Sequence, residues 1–324
     1  MKQILDSELV LNKDGSIYHL KLRAEHIADT IIVVGDQHRV DMVSKYFDRI
    51  EHKIQNREFR THTGILNNTR LSVMSTGIGT DNIDIALNEL DAIVNIDLKT
   101  RMVKEKLKSL NIVRLGTSGA VQRDIPVDSF VLSKYGLGFD GLLNFYRTTM
   151  TNSNGSIDRD GGQGTRDERG TSDVIENEMT DSFIKHTNWS ERLARPYIVK
   201  GSDKLIEQLG DGLLKGITAS APGFYGPQGR VLRLALSYPE MNAMITSFKY
   251  IRASSKLRRD SAGKGERIVN FEMETSALYG LGKLLGHDTC TICAIIANRI
   301  RKEYSKDHQK TIDEMIKFVL EKLT

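Results

Sequence analysis

The chain has 324 residues, 39% of them apolar and 27% charged, which is long enough to bury one large core or two ordinary ones. A net charge of +4, a pI near 8.8 and a mean hydropathy of −0.34 describe a polar, mildly basic chain, short of a nucleic-acid footprint unless the charge is concentrated. The opening MKQILDSELVLNKDGS lacks the apolar centre of a signal peptide, and no apolar run approaches the roughly 18 residues of a membrane span. A cytoplasmic protein with neither nucleic acid nor membrane as partner is expected.

In chain order, TIIVVGD (30–36), LSVMSTGIG (71–79) and NIVRLGTSG (111–119) each resemble a buried strand that runs into a glycine turn. Residues 81–98, DNIDIALNELDAIVNIDL, carry Ile85, Leu87, Leu90, Ile93 and Val94 at broadly helical spacing, with Asp81 or Asn82 as cap. VDSFVLS, PYIVKGS and GITASAP are strand candidates, and helices are expected near 202–214 and 239–248. FEMETSALYGLGKLLG (271–286) predicts a helix stopped by Gly286; DTCTICAIIANR predicts a strand, and HQKTIDEMIKFVLEKL an amphipathic closing helix. Strands alternating with helices predict a single α/β domain over 1–324, built on a central mixed, largely parallel sheet flanked by helices. Residues 147–180 and 254–267 are nearly devoid of large apolar side chains and are expected to be mobile surface insertions. Cys290 and Cys293, the two cysteines, form a C-x-x-C inside an apolar run with no second ligand pair, which favours buried core thiols over a metal site.

Three segments suggest an anion site. GDQHR joins Gly35 to Arg39, RLGTSG joins Arg114 to Thr117, and NREFR carries Arg57 and Arg60. Strand-end glycine turns expose N–H groups, and guanidinium forks suit phosphate. FEMET sets Glu272 and Glu274 around Met273, either as partners of a helix dipole or as acceptors for a sugar diol. GFYGPQGR holds Phe224 and Tyr225 beside Gln228 and Arg230, a flat face next to a polar edge.

Taken in order, GDQHRV, REF, STGIG, RLGTSGA, FYGPQGR, NFEMET and IIANR resemble the nucleoside phosphorylase-I family, and within it the uridine phosphorylase branch, from about Ile17 to Arg299. The resemblance implies phosphorolysis of uridine, and of deoxyuridine or thymidine, to the base and a pentose 1-phosphate, with inorganic phosphate as co-substrate and no organic cofactor. It implies that Gly35, Arg39, Arg114 and Thr117 bind phosphate, joined by Arg57 from a neighbouring subunit. Glu272, Met273 and Glu274 would bind ribose, with His19 contacting the 5′-hydroxyl across the same interface. Phe224, Gln228 and Arg230 would bind the base, with Ile296, Ala297 and Arg299 at the far side. Arg114, Gln228 and Arg230 would carry catalysis. A homo-oligomer is implied, a dimer at least and a hexamer by likeness to relatives. Some relatives hold a potassium ion, at positions matched here by Glu58, Ile78 and Asn82.

The chain departs from the family pattern at Gln37, where proline is usual, and at Phe271, where tyrosine is common. Purine-cleaving relatives place an aspartate where this chain has Asn298. A purine or broad-specificity phosphorylase is the alternative enzyme, and a non-catalytic nucleoside sensor the alternative of another class.

Overall fold

The computed structural model describes residues 3–148, 174–251 and 265–324. In chain order the strands are β1 (Thr30–Val34), β2 (Arg49–Asn56), β3 (Phe59–Leu66), β4 (Thr69–Ser75), β5 (Ile96–Asp97), β6 (Met102–Val103), β7 (Asn111–Ala120), β8 (Phe130–Gly138), β9 (Tyr197–Lys200), β10 (Leu214–Ser220), β11 (Lys249–Tyr250), β12 (Glu266–Glu272), β13 (Asp288–Asn298) and β14 (Glu303–Tyr304). The helices are α1 (Gln37–Ser44), α2 (Thr80–Asn95), α3 (Asn177–Thr187), α4 (Asp203–Leu209), α5 (Met241–Ser247), α6 (Thr275–Leu285) and α7 (His308–Leu323).

Twelve of the strands make one mixed sheet in the order β11-β12-β10-β8-β13-β7-β1-β4-β3-β2, with β9 beside β8 and β14 beside β13. Its interior runs β4-β1-β7-β13 and β8-β10-β12 are parallel. The β2-β3-β4 meander and the β13–β8 pair are antiparallel. A second pairing of β12, to β7 through Asn270 and Phe271, curls this part of the sheet back on itself. Parallel strands need both faces covered, which is why β1 and β13 read as unbroken apolar runs. One face packs on α2 and α6, the other on α1, α4 and α7. In α7, Ile312, Met315, Ile316, Val319 and Leu320 are buried on one stripe, each worth about 1.5–3 kcal/mol of transfer free energy. The C-terminal ends of β1, β4, β7, β10, β12 and β13 meet at one edge, where ligands of open α/β sheets bind.

Several expectations shift. The helix expected over 81–98 runs Thr80–Asn95, and Gly79 occupies the cap position in place of Asp81 or Asn82. A φ of +99° there favours glycine, and its N–H is taken by Glu274 instead of a local side chain. FEMET does not open a helix: Phe271 and Glu272 end β12, and α6 starts at Thr275. The helix expected over 202–214 stops at Leu209, and β10 begins at Leu214. The β2–β3 hairpin carries no apolar alternation strong enough to announce it, because β2 reads RIEHKIQN with every other residue exposed. Both insertions are trimmed at their C-terminal ends: Val174, Met179 and Thr180 are buried, and Glu266 and Arg267 belong to β12. The remainder of both insertions lies outside the described residues. Cys290 and Cys293 are free and buried in β13, as the apolar run predicted, and burial pushes both thiols up to about 12. Among the described residues no helix is long and apolar enough to cross a membrane.

Candidate active site

A cleft of about 860 Å³ opens at the strand-end edge. It is lined by Gly35 and Arg39 after β1, by Arg114 and Thr117 on β7, by Glu272, Met273 and Glu274 between β12 and α6, by Phe224, Gln228 and Arg230 after β10, and by Ile296 and Ala297 on β13. Segments far apart in sequence thus meet because their strands are neighbours.

Arg114 is the hinge of this arrangement. It sits in the middle of β7, almost fully buried, with Nη1 3.1 Å from Glu272 Oε2 and Nη2 hydrogen-bonded to Glu274 Oε2. Burial opposes its charge, but the two carboxylates more than offset that and hold the guanidinium above its usual value. Gly116 makes this possible: a Cβ there would lie 2.1 Å from Arg114 Nη1. Arg39, whose Nη1 donates to the Leu115 carbonyl at 3.1 Å, is favoured by Asp36 and Glu274 only at a distance and forms no ion pair among the described residues. Burial and the neighbouring Arg114 push it below its usual value. A half-buried cation in that condition gains from an anion.

The two glutamates differ in what they have left to offer. Glu272 accepts from Ser220 Oγ, from the N–H groups of Glu274 and Thr275, and from Arg114. Among the described residues Glu274 accepts from Gly79 N–H at 2.8 Å and from Arg114, fewer donors than Glu272 takes, and it lines the cleft. Burial pushes the Glu274 carboxyl up to about 7; Arg114 pulls against this and Glu272 adds to it. The helix-start reading of FEMET is embodied, since each carboxylate satisfies N–H groups at the start of a helix, Glu272 at α6 and Glu274 at α2.

At the other end Gln228 is 2% exposed. Its Oε1 accepts from Arg230 Nη1, and its main-chain carbonyl accepts from Arg299 Nη2. The Arg230 guanidinium also donates to the Phe224 carbonyl at 2.7 Å and lies 3.8 Å over the Phe224 ring. Burial lowers Arg230, and burial with Arg230 nearby lowers Arg299 to about 10; among the described residues neither guanidinium is ion-paired. Arg299 differs from its expected place at the far side of the base pocket. It does not line the cleft, and its hydrogen bond braces the loop from behind.

His19 and Arg57 are likewise absent from the cleft of their own chain. They lie beside each other: Asn56 Nδ2 donates to the His19 carbonyl at 2.8 Å, and Arg57 lies over the Tyr18 ring. His19 Nδ1 is 2.6 Å from Glu89. Arg57, at the β2–β3 turn, holds a φ of +53°, unusual for a bulky residue. Arg60 is spent on a bidentate pair with Asp41 at 2.6 and 2.7 Å and does not join the anion site.

The residues matched to a potassium site do come together around Gly77. Asn82 turns its amide nitrogen to the Ile78 carbonyl at 3.4 Å. Among the described residues there is no group of three or more His, Cys, Asp or Glu that could hold a metal ion.

Sequence reasoning missed His38 and Tyr304, which also line the cleft. His38 stood in view inside GDQHR. Tyr304 reaches the cleft only through the β13–β14 hairpin, which no local pattern marks. Asn298 is fully buried, donating to the carbonyls of Gln122 and Ile125 and accepting from the N–H groups of Ile300 and Arg301. Its amide is consumed by the hairpin.

Residues 29–323 match the profile of the Phosphorylase superfamily. The chain is 26% identical over 310 residues to the uridine phosphorylase of Thermococcus kodakarensis, covering 96% of this chain and 87% of that protein. Its fold superposes on the crystal structure of Trypanosoma brucei nucleoside phosphorylase, described as showing uridine phosphorylase activity, with a TM-score of 0.79, 26% identity and coverage of 97% and 99%. A DeoD-type purine nucleoside phosphorylase of Bacillus velezensis is 29% identical over 116 residues, 36% of this chain and 44% of that one.

Proposed function

This chain belongs to the Phosphorylase superfamily, and on that premise we propose that it cleaves uridine with inorganic phosphate to give uracil and ribose 1-phosphate. The observation that carries the choice of base is Gln228, buried and braced between Arg230 and Arg299. A carboxamide held in place can pair with the amide-like edge of uracil, one acceptor and one donor against one donor and one acceptor. The sequestered Asn298 supports the same reading, because no side-chain acid stands there to protonate a purine.

Phosphate enters between Arg39, Arg114, Thr117 and the Gly35 turn, where Arg39, pushed below its usual value by burial and by Arg114, gains from an anion. Glu274 accepts hydrogen bonds from the 2′- and 3′-hydroxyls with the lone pairs left to it, while Glu272 fixes the α6 turn and Met273 packs on the sugar. A phosphate oxygen then bonds to C1′ as the C1′–N1 bond breaks through an oxocarbenium-like transition state. The electron pair goes to uracil and spreads over N1, O2 and O4, and water later protonates the ring. Holding nucleophile and C1′ in line is an orientation effect of several kcal/mol. Arg230 and Gln228 stabilise the leaving anion, a contribution of about 3–4 kcal/mol in comparable sites. No general acid is required of the chain.

His19 and Arg57, adjacent to each other and outside their own cleft, serve the cleft of a second copy. The enzyme is therefore a dimer at least, and a hexamer by likeness to relatives. Deoxyuridine and thymidine are weaker substrates of the same site: an added 5-methyl changes binding by only about 1–3 kcal/mol, whereas the lost 2′-hydroxyl leaves a Glu274 acceptor without its partner.

Turnover of uridine against inosine tests the base assignment. Uridine should be preferred by about a hundredfold or more in kcat/KM, as expected when a site pairs with polar groups that the wrong base cannot match. Equal or greater inosine turnover would overturn it.

A further inference from the structure

The loop that reads the base has a second face. Phe224 and Gln228 line the substrate cleft, whereas Tyr225, Pro227 and Gly229 line a separate cavity of about 630 Å³ behind it. The Phe224 and Tyr225 rings stand edge to face, 5.2 Å apart and 84° between planes, so the two neighbouring aromatics serve opposite cavities. Arg230 alone among the base-reading residues borders both.

The far walls of this cavity are Phe139, Trp189, Leu236, Tyr238 and Met241. Among the described residues Arg230 and Arg233 are its charged lining and no acid borders it; Glu191 and Glu240 border an adjoining hollow. Arg233 is exposed and makes no hydrogen bond, ion pair or ring contact among the described residues. A concave aromatic site of this size with cations and no acid has a definite chemical preference. Water does not need these walls, and a neutral apolar body would leave the guanidinium groups unused.

We propose that this cavity is a second ligand site, for a small aromatic carboxylate, and that its occupancy alters uridine binding through Arg230. The ring stacks among Trp189, Tyr225 and Tyr238, and the carboxylate draws on Arg233 and Arg230. Arg230 gives its Nη1 donors to Gln228 and Phe224, so a carboxylate behind the loop that draws on the same guanidinium pulls on the group that faces the base. The coupling rests on the uridine reading above; the binding does not.

Trp189 is the only tryptophan in the chain, so its emission reports this wall and the adjoining hollow that it also borders. Titration of the full chain with 4-phenylbutyrate should change that emission saturably. The neutral 4-phenylbutyramide, and the charge reversal Arg233→Glu titrated with 4-phenylbutyrate, should each bind about tenfold more weakly or worse. In the same solutions the KM for uridine should shift by about twofold or more while the KM for phosphate stays unmoved. No saturable change by about 10 mM probe, or equal binding of the amide and of R233E, overturns the site. Full competitive displacement of the probe by uracil places it in the cleft and also overturns the site. Charge-dependent binding that leaves the uridine KM unchanged overturns the coupling. Should the protein turn over no uridine, the functional reading falls and the emission titration still decides the site.

Discussion

Replacing Gln228 or Arg230 by alanine should lower kcat/KM for uridine by about 10²–10³, the usual loss of one charge-stabilising donor, with the KM for phosphate little changed. Steady-state kinetics with each substrate varied in turn checks this. A second residue-scale prediction follows from Glu274, whose carboxyl burial pushes up to about 7. Below that pH it takes a proton, loses acceptor capacity for the ribose diol and weakens its pair with Arg114. The pH profile of kcat/KM should therefore fall on the acid side with an apparent pKa near 7, and Glu274→Gln should abolish that limb while lowering the plateau. The sequence showed both glutamates but could not rank them. Only the burial of Glu272 among N–H donors and Ser220 reveals that its acceptor capacity is already used.

At the level of elements, β7 carries the most constraint, because Arg114 must lie flat against its own strand beyond Gly116. Gly116→Ala puts a Cβ 2.1 Å from Arg114 Nη1 and 3.0 Å from Cys293 Sγ. That should cost about 1–3 kcal/mol of stability and raise the KM for phosphate, measured by denaturant titration beside kinetics. The neighbouring β13 makes a complementary prediction. Cys290 and Cys293, with thiols pushed up to about 12, should resist iodoacetamide in the native protein and react on unfolding. Elements with strong apolar runs were legible in the sequence: β1, β4, β7, β13 and α7 fall where periodicity placed them. Elements whose form depends on distant partners were not. The β2–β3 hairpin is polar on alternate residues, and FEMET has helical composition but is drawn into β12 by pairing with β10 and β7. The cleft was legible as motifs, while Tyr304 and the bracing role of Arg299 arise from a hairpin that sequence spacing does not mark.

For the whole molecule, the separation of His19 and Arg57 from their own cleft makes oligomerisation part of the proposed chemistry. Arg57→Ala and Arg230→Ala should each be nearly inactive. Co-refolded in equal amounts, they should recover about a quarter of wild-type activity, because half of the dimers are mixed and each of those rebuilds one intact site. Additive inactivity would place Arg57 outside the active site. The same assembly question bears on the cavity behind the base loop, since Val231, Leu232 and Leu234 leave an apolar strap exposed beside it. All of this presupposes that phosphate, not water, attacks the ribosyl carbon, which is what the Arg39 and Arg114 end of the cleft is arranged to favour. The most direct test is uracil release from uridine in phosphate-free buffer and after phosphate is added. The account predicts release that depends on phosphate, saturates with it and yields ribose 1-phosphate in equal amount; release at the same rate without phosphate, yielding free ribose, would contradict it.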